Sequence, residues 1–333
     1  MKTILMCVQP CIKYYAWQIE VMLTNFESLK IHEQFEIQCL FAFNKNESDW
    51  EEKFDVIAKV QKKYEDIANF YFYEDTRQYP ISYISSIRPN VLKQHFKEYA
   101  DLEKRSVFYH DCDIIFTKFP DFIDKYTQDD MNWYVSDTIS YIGHDYIISK
   151  GEDVLDKMCD IVGINKSIVK NNQNDSGGCQ YIMKGVDWEF FDKMEKDCER
   201  LFKEITELNN QKITEQRHTI DPNNPIPFTP YHELQIWCAD MWCILWGAWM
   251  QGFKTNIIPE MSFAWATDSI EICKEKYIFH NAGCISEMRE TYFYKADYRE
   301  KTPYGIDFTK YDKTKASFKY VENIIEASKN TAL

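Results

Sequence analysis

The chain has 333 residues, 45% of them hydrophobic, with 39 Lys and Arg against 53 Asp and Glu for a formal charge of −14. That length allows one large domain or two small ones with a sizeable core, and the acidic balance argues against duplex nucleic acid as a partner, which needs clustered Lys and Arg. With 10 glycines the chain has less than half the usual share of ~7%, and neither G-x-G-x-x-G nor G-x-x-x-x-G-K-[ST] occurs, so the Rossmann and P-loop phosphate cradles are missing.

The first third alternates strand and helix patterns. Residues 3–9 read as a buried strand, 14–29 as a helix, 35–43 as a strand, 50–67 as a charged amphipathic helix and 69–73 as a strand. Residues 88–100 are again helical, with Pro89 in the first turn, and 106–110 form a short apolar strand. Such alternation predicts an α/β fold with a mostly parallel central sheet flanked by helices, its active edge beyond the C-terminal ends of the strands. The rest is less regular. Residues 133–137 and 181–183 read as strands, and 152–162 and 187–208 as helices. The polar, proline-bearing stretch 209–231 reads as a long loop. Residues 232–251 read as a tryptophan-rich buried helix and 277–280 as a last strand, with a peripheral tail or terminal helix after 304. The expected organisation is a single domain over 1–333, with a nucleotide-type half (1–116), an irregular acceptor-side half (117–303) and the tail (304–333).

The N-terminal apolar run is closed by Gln9 and Pro10 and suits a first strand rather than a signal peptide. The longest apolar run, 241–250, is short of the ~20 residues of a membrane span, so no membrane anchor is expected. Eleven cysteines, an odd number with no C-x-x-C pair, suit reduced thiols in a cytoplasmic protein better than a disulfide framework or a zinc site.

Chemistry concentrates at Asp111-Cys112-Asp113, directly after the apolar Val107-Phe108-Tyr109. In an extended chain residues i and i+2 point the same way, so two carboxylates emerge together at a strand end. A hard divalent cation that also binds a diphosphate is held in this manner. The alternative is an ordinary turn, since a chain with 53 acidic residues meets Asp-x-Asp by chance.

Further segments follow in order: Arg88 on the helix before the motif, Asn174-Asp175-Ser176-Gly177-Gly178-Cys179-Gln180-Tyr181, Ala239-Asp240-Met241-Trp242, and Phe279-His280-Asn281-Ala282-Gly283. Taken together over residues 80–300, these blocks resemble the nucleotide-sugar glycosyltransferases of GT-A fold, particularly retaining ones. The similar groups are glycogenin and the bacterial galactosyltransferases, and the plant hydroxyproline arabinosyltransferases and serine galactosyltransferases. The resemblance implies a metal-dependent transfer of a sugar from a UDP-sugar to an acceptor hydroxyl, on a glycan or a protein, with Mn2+ or Mg2+. It implies Asp111, Asp113 and His280 as metal ligands, Asp111 also reaching the ribose, and Asp240 or Gln180 at the sugar's reacting centre. Val8, Arg88, Gly177 and Gly178 would meet the donor. The lysine often found three residues after the glycine of the late His-x-x-Gly is Ser286 here, leaving Lys295 or Lys301 to face the phosphates.

Plainer readings stand beside these. His280 lies in an apolar strand, where a histidine is commonly structural. His110 alternates with Asp111 and should point away from it. Gly177-Gly178 suits a tight turn. Asp240 shares a helical stripe with Glu233, Trp237 and Ile244 and needs a partner if buried. Trp242, Trp246 and Trp249 suit a core stripe. A metal-dependent nucleotidyltransferase or nucleotide-sugar hydrolase would use the same carboxylates, but lacks its basic glycine-rich loop. A carbohydrate-binding module would leave the acidic and histidine blocks unused.

Overall fold

The computed structural model describes residues 1–78, 80–127, 131–219 and 231–333, with backbone alone at 216–219. The strands are β1 (Ile4–Pro10), β2 (Glu36–Phe43), β3 (Asn69–Glu74), β4 (Val107–Tyr109), β5 (Ile114–Phe116), β6 (Asn132–Asp137), β7 (Gly177–Met183), β8 (Lys254–Ile257), β9 (Phe263–Trp265) and β10 (Ile278–His280). Among the described residues seven of them form a central sheet in the order β3-β2-β1-β4-β7-β6-β8, and a small sheet runs β5-β10-β9. Only β7 runs against its neighbours in the central sheet, pairing antiparallel with β4 and β6.

The near-continuous apolar character of β1 follows from burial on both faces. Ile4, Met6 and Val8 enter one core and Leu5 and Cys7 the other. Helices α1 (Lys13–Ser28) and α2 (Trp50–Tyr64) cover the second face with Ile19, Met22, Phe26, Ile57 and Val60. The first face is covered by α3 (Ile87–Glu98), α4 (Glu152–Val162), α5 (Trp188–Thr219) and α6 (Ala239–Met250). Trp242, Trp246 and Trp249 of α6 are buried in that core. Residues after 304 end in α7 (Ser317–Ser328), whose Tyr320, Val321 and Ile324 are fully buried with Trp17 and Val21 of α1.

Several expected elements are corrected. The segment read as a loop from 209 begins as helix, because α5 continues to Thr219; residues 220–230 lie outside the described part. Polar composition does not separate a loop from a solvated helix, and here tertiary contacts decide. Asn209 Nδ2 donates to the Leu234 carbonyl (3.2 Å), and Lys212 pairs with Asp153 (2.6 Å). The helix expected from 232 starts only at Ala239, after a 3-10 turn at Ile236–Cys238. Glu233 and Trp237 therefore do not share a helical stripe with Asp240, and Trp237 is 58% exposed. Strands β5, β8 and β9 are not anticipated from the sequence. All eleven cysteines are free thiols. No described helix is long and apolar enough to cross a membrane.

Candidate functional site

The site forms where β4 ends. Beyond Tyr109 the chain turns through His110-Asp111-Cys112-Asp113 before entering β5. β10 runs antiparallel to β5 with His280 opposite Ile114, and the Asn281 N–H donates to the Asp113 carbonyl (3.0 Å). This pairing, invisible in the sequence, delivers a histidine from far along the chain to the two carboxylates. His280 Nε2 lies 3.5 Å from Asp111 Oδ2 and 3.3 Å from Asp113 Oδ1. Two cis ligands of an octahedral cation with bonds of ~2.1 Å lie about 3 Å apart, so the donors stand close to the spacing that a divalent cation needs. The Lys295 ammonium pairs with Asp113 Oδ2, so a cation bound here would share that carboxylate with a positive charge that also suits a diphosphate.

Around this centre is a cavity of about 240 Å³, lined among others by Gln9, Tyr14, Arg88, Asp240, Trp265 and Lys295. Arg88, on α3, bridges two acidic groups. Its Nη2 is 3.1 Å from Asp111 Oδ1 and its Nη1 3.3 Å from Asp240 Oδ2. The Tyr83 hydroxyl donates to Asp240 Oδ1 (2.6 Å) and lies equally close to the Trp237 carbonyl oxygen. The buried Asp240 carboxylate is thus partnered, as burial requires, and still lines the cavity. Tyr141, Trp237 and Trp265 form an aromatic wall, with Tyr141 stacked on Trp237 at 6.1 Å. Trp265 also stacks on His280, centroids 6.4 Å apart at 19°.

Electrostatics follow from this crowding. Burial works to raise the Asp113 carboxyl, but Lys295 and His280 hold it well below the usual carboxylate range. Burial opposes an imidazolium at His280, yet Cys179 and Asp113 push its pKa well above the ordinary value. For Arg88, Asp111 and Asp240 outweigh burial and keep the guanidinium charged. Asp240 itself is raised, because burial outweighs Arg88 and Tyr83. Lys295 is likewise raised, burial being outweighed by Asp113.

The residues expected at the site from sequence are not all brought together. Arg88, Asp111, Asp113, Asp240, His280 and Lys295 share the cavity. Val8 is buried in the core and only its neighbour Gln9 reaches the lining. Gln180 is fully buried, with its Oε1 accepting from the Ser136 hydroxyl (2.6 Å), and does not line the cavity. Gly177 and Gly178 do not line it either and sit at a crowded crossing. A Cβ on Gly177 would fall 2.4 Å from the Ser136 carbonyl oxygen, and one on Gly178 2.6 Å from the Tyr181 hydroxyl. Lys301 sits over the Tyr298 ring, 5.6 Å from its centroid, and away from the cavity. His110 turns from the carboxylates into the core, packing edge-on to Phe26 at 5.9 Å while burial lowers its pKa to about 4. Tyr83, Tyr14 and Cys179 went unread; for Cys179 the only signal was its place after two adjacent glycines.

No family model matches the sequence, and no curated protein matches it. Similarity emerges in three dimensions. The bifunctional glycosyltransferase WbbM aligns with a TM-score of 0.50 at 9% identity, over 97% of this chain and 49% of that one. The galactosyltransferase LgtC, in complex with donor and acceptor sugar analogues, aligns with a TM-score of 0.41 at 12% identity, over 96% of this chain and 95% of that one. This chain spans about half the length of WbbM. The mostly parallel sheet flanked by helices and the likeness to WbbM together give the chain a GT-A type fold.

Proposed function

We propose that this chain is a glycosyltransferase that moves a sugar from a nucleoside diphosphate sugar, a UDP-sugar by the resemblance of its blocks, to an acceptor hydroxyl on a glycan or a protein. The observation that carries this reading is the convergence of Asp111, Asp113 and His280 in a cavity at the C-terminal edge of a GT-A sheet. These three residues would hold a divalent cation, Mn2+ or Mg2+, which when bound supplies Lewis-acid stabilisation of the leaving diphosphate. Lys295 adds a positive charge beside the same phosphates. Arg88 holds Asp111 and Asp240 in place and faces the donor. Asp240 offers its carboxylate to sugar hydroxyls or to positive charge growing at the anomeric carbon. Retention of configuration follows from the resemblance of the sequence blocks alone, with the leaving diphosphate taking the acceptor's proton. The eleven free thiols fit a reducing compartment such as the cytoplasm.

Thermal stability with UDP, with and without manganese, tests the reading. A ligand that binds only the folded chain adds about 2.7 kcal/mol at one hundred times its dissociation constant. The expected result is a shift that needs both UDP and metal, disappears in Asp113→Ala, and is followed by sugar release from one of a panel of UDP-sugars. No shift with any nucleoside diphosphate would sink the proposal.

A further inference from the structure

β7 is interrupted where it passes the site. Its register with β6 pairs Val135 with Tyr181, but the next pair is Ser136 with Gly178, so Cys179 and Gln180 bulge out of the ladder. A bulge of this kind re-aims side chains. Cys179 adopts φ 77°, a left-handed conformation that is uncommon for a residue with a Cβ. The two glycines before it leave no room for side chains of their own. The thiol that results is aimed at the candidate cation centre. Cys179 Sγ lies 3.7 Å from Asp111 Oδ2 and 3.5 Å from His280 Nδ1. One donor atom from each of Asp111, Cys179 and His280 falls within a single 4.8 Å cluster. In a tetrahedral site with Zn–S of ~2.3 Å and Zn–O or Zn–N of ~2.0 Å, sulfur and its neighbouring ligands lie about 3.5 Å apart.

We propose that Cys179 is a protein ligand of this centre, which makes it a mixed carboxylate, imidazole and thiolate site selective for a soft or borderline cation such as zinc or cobalt. The inference rests on the reading of Asp111 and His280 as cation ligands. It changes what that reading expects of the metal, because carboxylate oxygens suit manganese or magnesium whereas a thiolate selects softer cations such as zinc. Binding converts the thiol and a divalent cation to a metal thiolate and one proton released to solvent. His280 presents Nδ1 towards the sulfur and Nε2 towards the carboxylates.

Cobalt titration of the full chain, followed by absorption spectroscopy and calorimetry, tests the assignment without any turnover. The expected result is one bound cobalt with a sulfur-to-cobalt charge-transfer band in the near ultraviolet. That band is lost in Cys179→Ser and in Cys179→Asn, a residue that tolerates the left-handed backbone. It is kept in Cys112→Ser, which removes the thiol between the two aspartates. Zinc affinity should fall by roughly tenfold or more in Cys179→Ser, with a smaller change for manganese. Cobalt bound with no charge-transfer band in the wild-type protein, or a band that survives in both Cys179 variants, would overturn the thiolate assignment and leave the carboxylate and histidine site standing. Failure of cobalt, zinc and manganese alike to bind would overturn both.

Discussion

Replacing Arg88 with Met tests the electrostatic framework of the cavity. The guanidinium stands 3.1 Å from Asp111 and 3.3 Å from Asp240. At an effective dielectric of about 20, unit charges ~3 Å apart attract by roughly 5 kcal/mol each. Desolvation offsets much of that, and breaking a buried pair by removing one partner destabilises by about 3–5 kcal/mol. Because the Arg88 side chain is 25% exposed, Arg88→Met should lose about 3 kcal/mol, at the lower end. The loss comes chiefly from Asp240, left charged and buried, so Asp240→Asn on that background should recover part of it. The two substitutions should couple by about 1–2 kcal/mol, within the range for contacting charges. Urea denaturation of the two single variants, the double variant and the wild type measures this. Losses that simply add, with no coupling beyond about 0.5 kcal/mol, would refute the claim that Arg88 exists to hold Asp240.

The tryptophans of the acceptor-side half should behave in opposite ways. Trp246 is fully buried and its truncation to Ala should cost about 3–5 kcal/mol, whereas Trp237→Ala, at 58% exposure, should stay within about 0.5 kcal/mol; equal losses in chemical denaturation would contradict the packing described. Asp113 gives a pH dependence. Its folded pKa lies below the unfolded value of ~3.9, so its contribution is present above about pH 4 and is lost as pH falls below it. The stability of Asp113→Asn should therefore decline less steeply than that of the wild type between about pH 4 and 2. Parallel acid limbs would show that the Asp113 pairing contributes nothing.

The local grammar of the first half was legible in the sequence because it depends on near neighbours. An apolar run such as Ile4–Pro10 is a strand buried on both faces, and Lys13–Ser28 has the spacing of a helix packed against it. Asp111 and Asp113 stood out for the same reason, two carboxylates directly after a buried strand. The position of α6 was legible from its tryptophans. Its start was not, because Tyr83, distant in sequence, holds the turn before it through Trp237 and Asp240.

What only the tertiary structure decided is which residues meet. His280 reaches the carboxylates through the pairing of β10 with β5, and Lys295 through the loop that follows. Gln180 and Cys179 are adjacent in sequence, yet one bonds Ser136 inside the protein while the other faces Asp111 and His280. A period of two places neighbouring side chains on opposite faces of a strand, but a bulge can reset that alternation. Its position depends on the strand opposite, which the residues of β7 alone do not specify.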